Sequence, residues 1–450
     1  MKFLKLDLAP AQIVIISFAT LILIGTLLLL LPAATVSGKI SLIDALFTAT
    51  SATCVTGLIV VDTGSYFSHF GQMVILSLIQ LGGLGIMSFS TFFVFMVRRR
   101  VSLKERLMVE GVYTPEPWED FFRLLRMVLL VTFGVEAVGA FLLYFPFSEQ
   151  MSAGTALYYA IFHSISAFCN AGFSTFSDSF ARFKGNGIIN TVMPLLITIG
   201  GLGLVVVTEI IRCSTKRAEE RKPLSLHTKL TITVSLILTL IGVASFFFLE
   251  QNGTLANLSL REKIYTSIFQ GVTPRTAGFS SVDFAKVGEA TLFLFAILMF
   301  IGASPGSTGG GIKTTTIGVI LALILSQLRR SEQVNIFHRT INKRIIDRAV
   351  GIILASAAIV LLFTLALLIT EDSLSHHGFS LRQVLFEVIS AFGTVGLSTG
   401  ITAKLSSLGK LFITLLMFVG RLGPLTFFLT LERGGPVTRF SYPEENVMLG

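Results

Sequence analysis

The sequence predicts an all-α polytopic membrane protein built from four pseudo-symmetric repeats. Hydrophobic residues make up 52% of the 450 residues and charged residues only 14%, with a mean hydropathy of +0.79. This composition is typical of chains that cross a membrane several times and not of soluble domains. In addition, a turn of small residues with one glycine occurs four times, at intervals of about 105 to 120 residues. These glycines are Gly57, Gly172, Gly278 and Gly396.

Each repeat is predicted to contain an outer helix, a short helix that ends at the glycine turn, and an inner helix. In the first repeat, residues 13–31 and 73–97 are apolar runs long enough to span a bilayer. Residues 41–52 are too short to cross, so we expect a re-entrant pore helix there. In the second repeat the corresponding segments are residues 127–144, 155–167 and 188–211. In the third they are residues 230–249, 260–271 and 290–328, of which the last is interrupted. In the fourth they are residues 349–369, 381–391 and 411–431. Eight transmembrane helices and four re-entrant helices would then surround one central pore.

The repeats are predicted to form one ion-transport domain over residues 1–450. Their approximate boundaries are 9–106, 107–222, 223–340 and 341–433, and residues 434–450 are predicted to form a short cytoplasmic tail. The repetition argues against the several soluble domains that length alone would allow.

The net charge of +9 is concentrated between the repeats. Residues 98–106, 212–229 and 329–348 hold many of the 35 Lys and Arg residues. Short basic loops of this kind face the cytoplasm, so we expect a multi-pass plasma-membrane protein with both termini inside. A nucleic-acid partner is disfavoured, because basic loops beside apolar helices are usually a solvated membrane surface. Three cysteines, an odd number, disfavour a disulfide framework.

The four turns are interpreted as an ion selectivity filter. A ring of backbone carbonyls can replace the water shell of a cation, and glycine permits the positive φ that turns carbonyls inward. The negative C-terminal ends of four short helices would favour a cation at the same point. The alternative, that the glycines only end helices in a bundle, explains one copy better than four. The candidate filter residues are Val55, Thr56, Gly57, Asn170, Ala171, Gly172, Thr276, Ala277, Gly278, Thr394, Val395 and Gly396.

Three aspartates follow the filter turns. Asp62, Asp178 and Asp283 stand shortly after their glycines, whereas the fourth repeat has Ile401 in this region. They are expected either to form an incomplete acidic mouth that concentrates cations or to be ordinary solvated loop acids.

The third inner segment carries the signal for a gate. Proline removes a backbone donor and glycine disfavours helix, so residues 302–316 must leave the helical path in mid-membrane. Such a stretch below a filter can block or clear the path, although a simple kink is the alternative. A nucleotide-binding P-loop is disfavoured, because Ile312 separates Gly311 from Lys313. The candidate gate residues are Gly302, Pro305, Gly306, Gly309, Gly310, Gly311, Lys313 and Arg421.

Arg421 is predicted to lie in the middle of the last inner helix and to line the pore. A buried guanidinium is costly unless it is paired, so it should face the bundle interior or a watery cavity. We expect it to hold the gate segment through hydroxyls and carbonyls, with a pair to Glu136 or Glu387 as the alternative. Lys313 lies nearer the cytoplasmic end and can extend its amine to the interface.

No reaction chemistry is visible in the sequence, and we expect an ion transporter and not an enzyme. Paired catalytic carboxylates, a serine triad and a Cys/His metal cluster are not recognisable. The six histidines fall in different repeats and are interpreted as surface residues, with only His376 and His377 adjacent.

The glycine turns, together with the motifs at residues 273–279, 390–397 and 418–427, resemble the Trk/Ktr/HKT superfamily of potassium transporters. The likeness covers essentially the whole chain and is greatest to the membrane subunit of a bacterial Ktr potassium uptake system. It implies potassium uptake by a homodimer that rests on a cytosolic ring subunit binding ATP or ADP. It also implies an intramembrane gating loop at residues 302–316 and one filter glycine in each turn. No covalent or catalytic cofactor is implied, only potassium as the transported ion and sodium as a candidate activator.

Two transport mechanisms remain open at this point. A potential-driven pore gains about 2.3 kcal/mol per charge for each 100 mV. A sodium-coupled potassium symporter with alternating access would instead be expected to have inverted repeats and several broken helices. The repeats here are parallel, which favours the pore.

Overall fold

The structure, a computed structural model, describes residues 10–99, 117–215, 223–374 and 378–423. These residues are mainly helical. The longer helices are α1 (Pro10–Leu29), α2 (Leu42–Thr53), α3 (His69–Arg99), α4 (Pro117–Ser148), α5 (Ala153–Phe168), α6 (Gly187–Leu202), α7 (Leu204–Thr215), α8 (Leu226–Leu249), α9 (Leu260–Val272), α10 (Glu289–Phe300), α11 (Thr314–Leu328), α12 (Lys343–Leu374), α13 (Leu381–Gly393) and α14 (Ser407–Leu422). A small antiparallel hairpin, β1 (Asn335–Ile336) and β2 (Arg339–Thr340), joins α11 to α12.

Four helices in the described part of the chain are long and apolar enough to cross a membrane. They lie at Gln12–Leu29, Leu125–Ser148, Leu226–Leu249 and Lys343–Leu374, and most of each span is not buried inside the protein. The bent pair α6 and α7 would add a fifth span. Apolar side chains such as Leu240 and Leu361 point outward from these helices, as in a bilayer and not in water. These features identify a membrane protein.

The four short helices α2, α5, α9 and α13 begin in the same way. Their N-cap residues are Ser41, Ser152, Ser259 and Ser380, and each hydroxyl accepts a hydrogen bond from the backbone N–H three residues later. These caps satisfy N–H groups that a helix start would otherwise leave unpaired. The C-terminal part of each helix is buried, so each short helix runs from a capped start to a buried end.

The short helices also share one pattern of packing. Each contacts the outer helix that precedes it: α2 packs on α1, α5 on α4, α9 on α8 and α13 on α12. Each also contacts an inner helix from another part of the chain: α5 packs on α3, α9 on α6, α13 on α10, and α2 on α14. Because the last inner helix meets the first short helix, the arrangement closes on itself.

Two of the inner helices were predicted wrongly, one in its continuity and one in its end. Residues 188–211 were expected to form one helix, but α6 and α7 meet at a bend of 102°. Gly203, with φ 86° and ψ 146°, lies between them in a conformation that a helix excludes. The last inner helix, expected at 411–431, begins at Ser407 and ends at Leu422. The third inner segment is interrupted as expected, between Phe300 and Thr314.

Several predicted boundaries lie outside the described residues. The boundaries near residues 106 and 222 fall on the undescribed stretches 100–116 and 216–222. The boundary near 433 and the predicted tail at 434–450 lie beyond residue 423.

Candidate functional site

The four glycine turns adopt one backbone conformation. Gly57, Gly172, Gly278 and Gly396 have φ values of 91°, 70°, 73° and 92°. The residue two places earlier also has a positive φ in every turn, although none of these residues is glycine; they are Val55 (55°), Asn170 (60°), Thr276 (72°) and Thr394 (49°). A non-glycine residue in this region costs on the order of 1–3 kcal/mol, and surrounding structure must hold it there. All twelve candidate filter residues lie in these turns, and the non-glycine ones are buried or nearly so.

The turns meet one another in a closed order. A Cβ added to Gly57 would collide with the carbonyl oxygen of Ala171, and one added to Gly396 would collide with the carbonyl oxygen of Thr56. In the same way Gly172 lies against the carbonyl of Ala277, and Gly278 against that of Val395. Each glycine therefore faces a main-chain oxygen of the next turn, and the fourth turn returns to the first. Backbone oxygens that converge in this way can take the place of water around a cation.

A hydroxyl group braces each turn, and the sequence analysis did not identify it. The Oγ atoms of Ser51 and Ser166 donate to the carbonyls of Leu58 and Phe173 at 2.7 and 2.8 Å. Thr273 Oγ1 donates to the carbonyl of Phe279 at 2.8 Å. In the fourth turn, the N–H of Gly396 donates to Ser390 Oγ at 3.1 Å. The available signal was a Ser or Thr five or six residues before every glycine.

Residues 301–313, which we call the inner segment, pack directly against the turns. Thr308 Oγ1 donates to the carbonyl of Phe168 at 3.3 Å, and the N–H of Gly310 donates to Thr394 Oγ1 at 3.1 Å. A Cβ added to Gly309 would collide with the side chain of Thr276. The inner segment thus contacts three of the four turns or the helices that lead into them. Gly302, Pro305 and Gly306 lie in its first half, and Gly306 and Gly311 have φ values of 75° and 68°.

The bend at Gly203 holds the other side of the inner segment. The N–H of Leu204 donates to the carbonyl of Gly306 at 3.2 Å, and the N–H of Ser304 donates to that of Gly201 at 3.1 Å. A Cβ on Gly203 would lie 2.8 Å from the carbonyl oxygen of Pro305. The bend therefore brings the end of α6 into main-chain contact with the inner segment.

Arg421 is buried, and its partners are main-chain carbonyls. Its Nη1 donates to the carbonyl of Thr308, and its Nη2 donates to that of Gly82 at 3.1 Å. It lies at the C-terminal end of α14 and not in the middle of a helix, since α14 ends at Leu422. Lys313 Nζ donates to the carbonyl of Gly309 at 2.7 Å. Both cations of the candidate gate therefore bind carbonyls of the inner segment.

The alternative of an acidic partner for Arg421 is wrong. Glu136 accepts from Gln80 Nε2 at 3.3 Å and from Cys169 Sγ at 3.9 Å. Glu387 accepts from Ser398, from Thr402 Oγ1 at 3.0 Å and from the N–H of Thr399 at 3.2 Å. These carboxylates take neutral donors, and no ion pair to Arg421 occurs among the described residues.

The three aspartates after the turns all have local partners. Asp62 accepts from the N–H of Ser65 at 2.7 Å, and Asp283 accepts from that of Ala285 at 3.0 Å. Asp178 pairs with Arg182 at 2.6 Å. Partial burial raises the pKa of Asp178, but the hydrogen bonds and charge of Arg182 outweigh this, so its pKa lies below the usual value. An acidic mouth formed by these residues stays a prediction.

The interpretation of the histidines needs one correction. His163 is fully buried, with Nδ1 2.8 Å from the carbonyl of Tyr159 and Nε2 3.1 Å from Ser174 Oγ. It packs face to face with Phe176, so it belongs to the core and not to the surface. The adjacent His376 and His377 lie outside the described residues. No cluster of three or more potential His, Cys, Asp or Glu metal ligands occurs in the part of the chain that is described.

The chain is similar to known cation transport proteins in sequence and in fold. The family model TrkH, described as a cation transport protein, matches residues 8–435. The chain is 40% identical to the Ktr system potassium uptake protein B of Bacillus subtilis over 98% of this chain and 97% of that protein. It is 35% identical to the potassium/sodium uptake protein NtpJ of Enterococcus hirae over 100% of this chain and 99% of that protein. The crystal structure of the potassium transporter TrkH from Vibrio parahaemolyticus aligns with a TM-score of 0.74 at 21% identity, covering 96% of this chain and 87% of that one.

Proposed function

Because the chain belongs to the TrkH family of cation transport proteins, we propose that it takes up potassium across the plasma membrane through the four glycine turns. Its similarity to a Ktr system potassium uptake protein over almost the whole length supports potassium as the transported ion. In this proposal, eight transmembrane helices and four re-entrant helices surround one pore, and both termini are cytoplasmic. The main-chain oxygens of the turns replace the hydration shell of the ion.

The observation that carries the proposal is the closed order of the turns. Four glycines with positive φ each face a main-chain oxygen of the next turn, and the fourth returns to the first. A fold that only needed to end four helices would not require the turns to touch. Substitution at any of these glycines would strain the backbone and displace the neighbouring oxygen.

The inner segment is proposed to be the gate. It lies against the turns, it is held by Arg421, and Lys313 makes a hydrogen bond within it to Gly309. Its glycines allow it to change conformation. The fixed positive charge of Arg421 would also oppose the passage of a cation while the segment is in place. Opening would require the hydrogen bonds of Thr308 and Gly310 to break.

A cytosolic nucleotide-binding subunit is proposed to control the gate in a homodimeric assembly. The name of the Bacillus subtilis relative, a protein of a Ktr system, supports a partner subunit. Potassium flux in vesicles that stays unchanged when the partner is added with ATP or with ADP would contradict this.

A sodium-coupled symporter is the second candidate, because the Enterococcus hirae relative is named a potassium/sodium uptake protein. Potassium uptake that stops when sodium is withdrawn would favour symport. Uptake that continues and follows the membrane potential would favour the pore.

The proposed filter is tested by growth of potassium-uptake-deficient bacterial cells in low potassium. We expect the intact chain to rescue growth and Gly278→Ser to fail, because the added side chain meets the carbonyl of Val395. Gly351→Ser is the matched control, since a Cβ there has no neighbour within 4 Å. Equal rescue by all three chains would contradict the assignment of the filter.

A further inference from the structure

The third turn differs from the other three in carrying a buried charge. The residue three places before the filter glycine is Cys54, Cys169 and Gly393 in the first, second and fourth turns, and Arg275 in the third. The Arg275 side chain is buried, with 8% relative exposure. At this position, only the third turn therefore carries a cation of its own.

The partners of Arg275 are all neutral and all lie on the outer helix α8. Its Nη1 donates to the carbonyl of Ser235 at 3.1 Å and to Thr239 Oγ1 at 3.4 Å, and its Nη2 donates to Ser235 Oγ at 2.9 Å. Its Nε has no partner. No carboxylate pairs with this guanidinium among the residues that the structure describes.

These hydrogen bonds do not by themselves explain why the residue is charged. A buried charge without an opposite charge is costly, whereas a neutral amide such as Gln could donate to the same carbonyl at lower cost. A charge retained at this depth is therefore expected to act on another charge. In the proposed function, that other charge is the transported cation.

Arg275 lies just after the end of α9, so its charge acts on the negative end of that helix. Pro274 has no N–H to continue the helix, so α9 ends at Val272. The C-terminal end of a helix carries a partial negative charge that favours a nearby cation. A guanidinium beside that end offsets it. At the ends of α2 and α5 a cation comes instead from outside the turn, because Arg421 of α14 binds the carbonyls of Gly82 and Thr308, which contact Thr53 and Phe168.

We propose that Arg275 sets the affinity of the ring for potassium, because its fixed positive charge weakens binding of the ion and so speeds its release. This inference rests on the proposed function. Gly278 follows Arg275 by three positions, so with the length of the side chain the charge lies roughly 10–15 Å from the ring. With an effective dielectric constant near 20, removal of one charge at that range tightens cation binding roughly five- to fifteen-fold.

The first test compares Arg275→Gln with Arg275→Lys by initial rates of potassium uptake in uptake-deficient bacterial cells. We expect Arg275→Gln to lower the KM for potassium roughly five- to fifteen-fold and to lower the maximal rate. Arg275→Lys keeps the charge and should retain a KM close to that of the intact chain. A role in packing alone would lower the maximal rate or the membrane abundance without lowering KM. A KM that is unchanged or raised in Arg275→Gln, at equal abundance, would overturn the inference.

The second test keeps Arg275 and offsets its positive charge with a neighbouring carboxylate. Ser235→Glu puts a carboxylate beside the guanidinium, and Ser235→Gln is the uncharged control of the same size. We expect KM to fall in Ser235→Glu but not in Ser235→Gln. Equal KM values in these two variants would overturn the inference even if Arg275→Gln does not fold. Failure of the intact chain to transport potassium would overturn the proposed function as well, whereas normal transport with unchanged KM values would overturn only the role of Arg275.

Discussion

Two inner segments of the chain are interrupted at neighbouring points, one by a sharp bend and the other by a long non-helical stretch. Between α6 and α7 the chain bends by 102° at a single residue, Gly203. Between α10 and α11 it stays non-helical over the whole inner segment, from Ile301 to Lys313. The two breaks touch through main-chain hydrogen bonds that join Leu204 to Gly306 and Ser304 to Gly201.

In the proposed function, the bend at Gly203 is a support and the inner segment is the part that moves. The bend at Gly203 depends on one glycine and is held by main-chain contacts on both sides, so it has few ways to rearrange. The inner segment has glycines along its length, and its polar contacts to Arg421, Lys313 and the turns can be exchanged one at a time. We infer that the bend is a fixed surface on which the inner segment rests.

The largest effect is expected from Gly203→Ala, which acts on the support. The φ of 86° and ψ of 146° are nearly exclusive to glycine, and the new Cβ would lie 2.8 Å from the carbonyl oxygen of Pro305. The conformational strain alone is about 1–3 kcal/mol, and the clash adds to it. We expect a lower melting temperature in detergent and loss of potassium uptake.

Gly134→Ala is the control for this prediction. Gly134 lies within α4, and a Cβ there meets nothing within 4 Å. Alanine in a helix is favoured over glycine by up to about 1 kcal/mol, so the melting temperature should stay equal or rise. If Gly203→Ala behaved like this control, the bend would not be a fixed support.

A smaller effect on stability but a clear effect on flux is expected from Arg421→Met, which acts on the moving part. The change leaves the buried carbonyl of Thr308 without this donor, at about 1–3 kcal/mol, and removes a second hydrogen bond from the carbonyl of Gly82, which lies within α3. It also removes the desolvation cost of a buried cation, so the net loss of folding free energy is smaller than that sum. We expect potassium flux into vesicles containing only this chain to increase several-fold.

Arg421→Lys is the matched variant for this prediction. Lysine keeps the charge but lacks the planar group that donates to two carbonyls at once. Its flux should fall between those of the intact chain and Arg421→Met. Unchanged flux in both variants would show that Arg421 does not hold the inner segment closed.

The comparison of the two breaks also shows what the sequence can predict. The break at the inner segment was predictable because Pro305 and its neighbouring glycines oppose a helix locally. The bend at Gly203 was not predictable, because glycine is common in membrane helices. The bend also depends on contact with residues about a hundred positions away in the chain. The position of Arg421 near a helix end was missed for a similar reason, since the apolar sequence around it continues past Leu422.

Some features of the candidate site were likewise predictable from the sequence and others were not. The glycine turns were found from their repetition, and the short helices from apolar runs too short to cross a bilayer. The bracing hydroxyls of Ser51, Ser166 and Ser390 were missed, because Ser and Thr are frequent in these segments and only the folded turn shows which ones reach it. His163 was placed on the surface because a lone histidine carries no periodic signal of burial.

The smallest effect is expected from Thr308→Val, which removes one hydroxyl of the inner segment without changing its shape. Thr308 Oγ1 donates to the carbonyl of Phe168 at the end of α5, at 3.3 Å, and the side chain is buried. Loss of this bond should cost about 0.5–1.5 kcal/mol in the closed arrangement and raise the basal flux by a modest factor, below that of Arg421→Met. Thr132→Val is the control, because Thr132 Oγ1 is buried without a partner. Equal flux in the two variants, measured in the same vesicles, would mean that this contact does not hold the inner segment against the turns.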